Sequence, residues 1–377
     1  MRSVVFLLYA ILLSAPAGAA SGSQGPLSVK WEYATGADLP QSVAVDAGRR
    51  PYIYVALKSG GLLVLDTSEP QPAPAAIVGR SQLGGLDAMY VTQQGDRLYL
   101  ALGDFFNAHG DKAGLAVVNI KNPKQPKVAA TWSTDRPVQG AATVLVDGDY
   151  AYLGAMTEGV FVFEKSSLRL VSVIRPDPDY PRRNPSRTMR PNARGLAMYQ
   201  DTLFIAYDAG GIRALDVSDK KNPREIGRYI NPKVGLAKQQ AFNNLVIDWP
   251  YAYAATDYCG MDVVDIRDPA HMRLAGWWNP WRCDKMSNLW FNSGGHTNQI
   301  GLDAARHLVY LSAGASELQV VNVADPASPR LAAQYRDAKK KQGAWGMTLA
   351  AEAVYLDYIT AFIPFQGSWA GVRAVTR

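Results

Sequence analysis

The sequence predicts an all-β fold: a seven-bladed β-propeller of four-stranded antiparallel blades, closed by the N-terminal strand completing the last blade. Three observations carry this prediction. A short string led by glycine, apolar in its middle and ended by Asp or Asn, recurs along the chain. An aromatic residue precedes each copy. The last copy is one strand short, and a spare strand lies near the start.

The recurring string reads GLLVLDTSEP from Gly61, GLAVVNIKNP from Gly114, GMDVVDIRDP from Gly260 and ELQVVNVADP from Glu317. Its copies open at Gly61, Gly114, Gly159, Gly211, Gly260, Glu317 and Gly371, with spacings of 53, 45, 52, 49, 57 and 54 residues. A regular period of this size marks a repeat architecture, and the coils of an elongated β-solenoid are shorter. The preceding aromatic is Tyr54, Tyr99, Tyr152, Phe204, Tyr253, Tyr310 or Tyr355. It stands seven residues before the anchor in five copies, and 15 and 16 residues before it in the second and seventh, which therefore carry insertions.

Each copy contains four short β-type runs. In the fifth they are NNLVID, YAYAAT, MDVVDI and RLAGWW, bounded by turn formers. The anchor glycine allows a backbone turn that a Cβ would strain. The Val/Leu/Ile run reads as a strand buried on both faces. The Asp or Asn bonds its own backbone in the turn, and Pro cannot continue the ladder. The third copy, GVFVFEKSSL, lacks both the Asp and the Pro. The seventh ends at GVRAVTR without a fourth strand. Residues 26–34, PLSVKWEYA, match the fourth strands PKVAATWST, PREIGRYIN and PRLAAQYRD. Pairing them with the last blade removes the exposed sheet edges of an open stack.

These strings resemble the LVIVD repeat, with VVDIRDP, ALDVSDKKNP and VVNVADP as the matching segments. The resemblance extends over nearly the whole chain after its leader. It implies a propeller in a bacterial or archaeal exported or surface protein, and it carries over no catalytic residues.

Residues 1–19 have the layout of a secretory signal peptide: Arg2, the apolar run VVFLLYAILL, then Ala17-Gly18-Ala19. Residues 20–377 are read as a single seven-bladed propeller domain. No later segment has the unbroken apolar length of a membrane span. The expected location is exported, periplasmic or extracellular. Net charge is +6, which permits acidic partners and says nothing of the fold. Cys259 and Cys283, the chain's 2 cysteines, fall at the same end of the fifth blade, so a disulfide is expected.

With strands named a to d from the axis outward, the long connections all fall on the face of the b–c and d–a loops. They span 103–114, 175–192, 231–242, 279–296, 336–346 and 357–371. Long loops grouped at one end of a rigid scaffold are where binding usually lies. Their Arg182, Arg183, Arg187 and Arg190, with Trp281 and Trp290, suit a protein or glycan partner. Export sets aside the single-stranded nucleic acid that such groups also suit. At the axial mouth, counting along the a strands gives Gln41, Asp87, Arg194, Asn243, Asn298 and Trp345, with His296 beside them, as a candidate ligand-binding ring. Such a ring also serves simply to hold ordered water.

There are 4 histidines and no His-x-His or HExxH spacing, and neither GxSxG nor a P-loop occurs. The reading is therefore an exported, monomeric, non-enzymatic binding or scaffold propeller with no cofactor. The alternative is a Ca²⁺- or Mg²⁺-dependent hydrolase of lactones or phosphoesters, with Asp87, Asn243 and Asn298 as oxygen donors.

Overall fold

A computed structural model describes residues 26–107, 110–181, 191–234, 240–285, 295–337, 339–361 and 367–377. Residues 1–19, read as a signal peptide, lie outside them. The described residues form seven sheets, each of four antiparallel strands, as the repeat predicts. The fifth blade consists of Phe242–Asp248, Tyr251–Thr256, Met261–Asp265 and Arg273–Trp278, within a residue or so of the runs read from sequence.

Local chemistry explains the repeated string. At Gly61, Gly159, Gly211 and Gly260 the backbone has φ between 81° and 86°. A Cβ at these positions would collide with the last carbonyl of the d strand, so glycine is required twice over. The closing Asp or Asn accepts the amide two residues on: Asp66 from Ser68, 3.0 Å; Asn119 from Lys121, 2.9 Å; Asp265 from Arg267, 3.1 Å. The third copy ends differently. There Glu164 pairs with Arg169, and the hydroxyl of Ser167 donates to it at 3.2 Å.

The apolar runs are buried on both faces because blades pack face to face. Seven apolar clusters fill the seven blade interfaces, with the marker aromatics Tyr54, Tyr99, Tyr152, Phe204 and Tyr310 almost wholly buried. Each fully buried large side chain contributes about 1.5–3 kcal/mol relative to exposure.

Ring closure follows the sequence expectation. Val29–Ala34 pairs antiparallel with Gly371–Val375, the c strand of the last blade, with Tyr33 opposite Val372. The Ser28 amide donates to Thr376 Oγ1 and the Thr376 amide to the Ser28 carbonyl, both 2.8 Å. Trp31 and Tyr33 complete the cluster between blades 7 and 1.

Closure also accounts for the one anchor that is not glycine. Glu317 adopts φ 50°, a region costly for a residue with a Cβ. Its buried carboxylate accepts from Tyr358 Oη at 2.5 Å, Arg373 Nη1 at 3.2 Å and the Asp337 amide at 2.6 Å. Arg373, itself 1% exposed, also reaches Glu32 on the N-terminal strand at 2.8 Å. The unusual anchor thus serves an ionic network at the closing blade.

Candidate functional site

The a strands begin at Ser42, Ala88, Thr143, Gly195, Phe242, Thr297 and Ala344, all at the end of the ring where the long loops emerge. Four b–c turns reach the next blade there through isolated bridges: Lys58 to Ala88, Met156 to Ala193, Asp208 to Phe242 and Gly314 to Ala344. These turns and strand starts make the axial mouth.

Several ring residues hold blades together. Asn243 Nδ2 donates to the Thr297 carbonyl at 2.8 Å, and Asn298 Nδ2 to the Trp345 carbonyl at 2.9 Å. Ser312 Oγ donates to the same Trp345 carbonyl at 2.8 Å. Asp87 pairs with Arg80 at 2.9 Å, while burial pushes its carboxyl pKa up. Gln41 Nε2 donates to the Leu39 carbonyl at 3.3 Å. Asp87, Asn243 and Asn298, considered together for a metal, thus each have a different partner. Among the described residues no group of three or more His, Cys, Asp or Glu side chains is placed to hold an ion.

The rest of the ring converges. Arg194 Nη2 donates to Asn298 Oδ1 at 3.1 Å. Its guanidinium lies 5.0 Å from the Phe105 ring centroid and 5.7 Å from that of Trp345. His296 stacks on Trp345 at 5.5 Å, meets Tyr258 at 5.3 Å, and contacts Asp257 Oδ1 through Nδ1. The Asp257–Cys259 turn is anchored by Thr297 Oγ1, which donates to the Asp257 carbonyl at 2.7 Å, and by the Cys259–Cys283 disulfide. Asp208 accepts from Asn192 Nδ2 at 2.9 Å. Burial raises the Asp208 pKa to about 6, against the pull of Arg194. Burial likewise lowers the pKa of Arg194, opposed by Asp208 and Asp257. Met89, Ala142, Met156 and Ile359 line the same mouth with apolar surface, and Phe106 stands exposed at its rim, 5.2 Å from Trp345.

Arg194, His296, Asn298 and Trp345 are thus brought together, while Gln41, Asp87 and Asn243 sit elsewhere around the ring with partners of their own. Arg182, Arg183, Arg187, Arg190 and Trp290 lie outside the described residues. Trp281 is partly buried, edge-on to Trp278 at 5.6 Å and backed by Gly295. Asp208, Asp257 and Tyr258 are not among the residues singled out from the sequence. A signal was present: the fourth residue after each marker aromatic is Lys58, Gly103, Met156, Asp208, Asp257, Gly314 or Ile359, a position that faces the mouth.

The LVIVD repeat family matches residues 41–73, 192–231 and 243–279, in blades 1, 4 and 5. Those blades combine a glycine anchor, a short b–c turn and a closing Asp; the other four each lack at least one of these. No curated protein matches. The solved structure of U3-55K aligns with a TM-score of 0.67 at 9% identity, covering 94% of this chain and 100% of that one. The crystal structure of the RRP9 WD40 repeats aligns with the same score and identity, covering 94% and 98%. At that identity the likeness is one of fold, and fold does not specify function.

Proposed function

We propose that this LVIVD-repeat β-propeller is an exported, non-enzymatic binding module that engages a protein partner through its long-loop face. The observation that carries this is placement. The long connections share one end of a rigid ring, and at the axis there the Arg194 guanidinium lies against Phe105 and Trp345, with the exposed Phe106 beside them. The leader-like N-terminus and the Cys259–Cys283 disulfide support export, since disulfides persist in oxidising compartments. Among the described residues, no helix is long and apolar enough to cross a membrane.

A protein partner fits better than a glycan. Glycan sites commonly offer exposed aromatic platforms, but Trp278 and Trp345 are buried and Trp281 is tucked against Trp278. The exposed Trp249 lies on the opposite face, stacked on Tyr199 at 4.5 Å.

The test is comparative affinity capture with quantitative mass spectrometry, using the wild type, Phe106→Asp on the long-loop face and Trp249→Ala on the short-loop face, with a glycan array in parallel. A protein lost with Phe106→Asp and retained with Trp249→Ala is the expected result. Equal retention by both variants, or a hit on the glycan array alone, would overturn it.

A further inference from the structure

Two arginines, Arg213 and Arg373, are fully buried in the propeller and both are saturated, whereas Arg194 is half-buried at the axial mouth. Arg213 donates to Glu225 at 2.9 Å and to the carbonyls of Gly210 and Asp177, both 2.8 Å. Arg373 donates to Glu32, Glu317 and Gln342 at 2.8, 3.2 and 2.6 Å. Arg194 differs. Among the described residues the one hydrogen bond of its guanidinium goes to a neutral amide oxygen, that of Asn298, and no carboxylate lies within ion-pair distance.

We infer that Arg194 is the anchor of a carboxylate-binding subsite at the floor of the axial mouth; this rests on the binding-module reading above and names the chemistry that the mouth accepts. Blade 4 supplies the arginine, blade 2 Phe105, blade 6 Asn298 and blade 7 Trp345. With aromatic rings against the guanidinium and Asn298 on one Nη, the uncommitted N–H groups lie along its edge. That edge is the geometry in which arginine takes a carboxylate with two parallel hydrogen bonds. A half-buried guanidinium with no carboxylate in ion-pair distance is incompletely compensated, and an arriving carboxylate supplies a counter-ion.

Charge sets the ligand at a single negative unit. Lys58 is matched by Asp104 at 3.0 Å, and Arg80 by Asp87 at 2.9 Å. Asp208 and Asp257, close enough to act on Arg194 electrostatically, would repel a dianion. The surrounding Met89, Met156 and Ile359 favour an apolar or flat group behind the carboxylate. Two sources share this chemistry: a free aromatic or aliphatic acid, and the C-terminus of a polypeptide.

The experiment is titration of the full chain, followed by tryptophan fluorescence and calorimetry, with benzoate, the neutral isostere benzamide, and a short peptide ending in Phe with a free or an amidated C-terminus. Wild type, Arg194→Gln and Arg194→Lys are compared, and circular dichroism checks folding. Benzoate should bind at least about tenfold more tightly than benzamide, and Arg194→Gln should lose that preference. Arg194→Lys, which keeps the charge without the fork, should retain only part of it. Tighter binding of the free-ended peptide than of benzoate assigns the subsite to chain termini; the reverse assigns it to small acids. Equal binding of benzoate and benzamide, undiminished benzoate binding by both variants, or no binding of any acid by the wild type overturns the inference. If the acids fail while a protein remains captured in a Phe106-dependent way, the subsite falls and the binding-module reading stands.

Discussion

Asp357→Asn is expected to stabilise the propeller and to flatten its pH dependence. Asp357 lies on the b strand of blade 7, 0% exposed, and neither carboxyl oxygen meets a hydrogen-bond donor among the described residues. The corresponding residues of blades 1 to 6 are Ala56, Ala101, Gly154, Ala206, Ala255 and Ser312. Opposite stands Gly346, where a Cβ would collide with Asp357 Oδ2 and lie 2.9 Å from the Gln41 carbonyl. Burial alone raises the Asp357 pKa from its ordinary value to about 8. In the unfolded chain it is about 3.9.

The folded state therefore holds a proton that the unfolded state has already released. The stabilising contribution is complete below pH ~4, declines as pH rises, and is lost once pH passes the folded value near 8. At about 1.4 kcal/mol per pH unit, up to about 4 kcal/mol is lost between pH 4 and 7. Asparagine does not titrate. Its N–H can also donate across the blade seam, as Ser312 does to Trp345 at 2.8 Å. The assay is urea unfolding of both proteins at pH 5 and pH 7.5. Asp208 and Asp262, whose pKa values burial also raises, titrate in both and cancel in the difference. The wild type should lose about 3 kcal/mol more than the variant over that interval. Parallel pH dependences would refute a buried neutral carboxyl at this position.

Three further outcomes follow from the same physics. Glu317→Ala leaves Arg373 and Tyr358 short of a partner and should cost about 3–5 kcal/mol by chemical denaturation, despite the many exposed salt bridges it leaves untouched. Reducing the Cys259–Cys283 disulfide, with a sequence separation of 24, should cost about 3 kcal/mol, read as a fall in Tm with dithiothreitol that a Cys259→Ser/Cys283→Ser variant does not show. Asp208→Asn should tighten benzoate binding at pH 7.5 and remove the tightening that the wild type shows as pH falls through about 6, because protonating Asp208 relieves its repulsion of the incoming charge beside Arg194, Asp257 and His296.

The fold was legible because its determinants are local and repeated. Gly61, Gly159, Gly211 and Gly260 make the same turn, Asp66, Asn119 and Asp265 the same side-chain bond, and the missing last strand has a visible replacement in residues 26–34. The site was legible by position only. Counting along the a strands places Arg194, Asn298 and Trp345 at one mouth, but it does not show that Asn243 and Asn298 are used to staple blades. Trp281, read as part of a contact surface, is partly buried against Trp278, since an indole is drawn inward wherever a blade end leaves apolar surface to cover. Glu317 departs from the repeat for a reason that lies in other strands, at Arg373 and Tyr358, and no single copy of the string reveals it; nothing in the structure explains the aspartate at position 357.

Amide hydrogen exchange of the propeller with and without its captured partner tests the binding face most directly. Protection should concentrate in the b–c turns around Lys58, Phe105, Asp208 and Asp257, which surround the axial mouth. Protection confined to the a–b turns around Gly48, Gly95 and Trp249 would place the contact on the opposite end of the ring and contradict it.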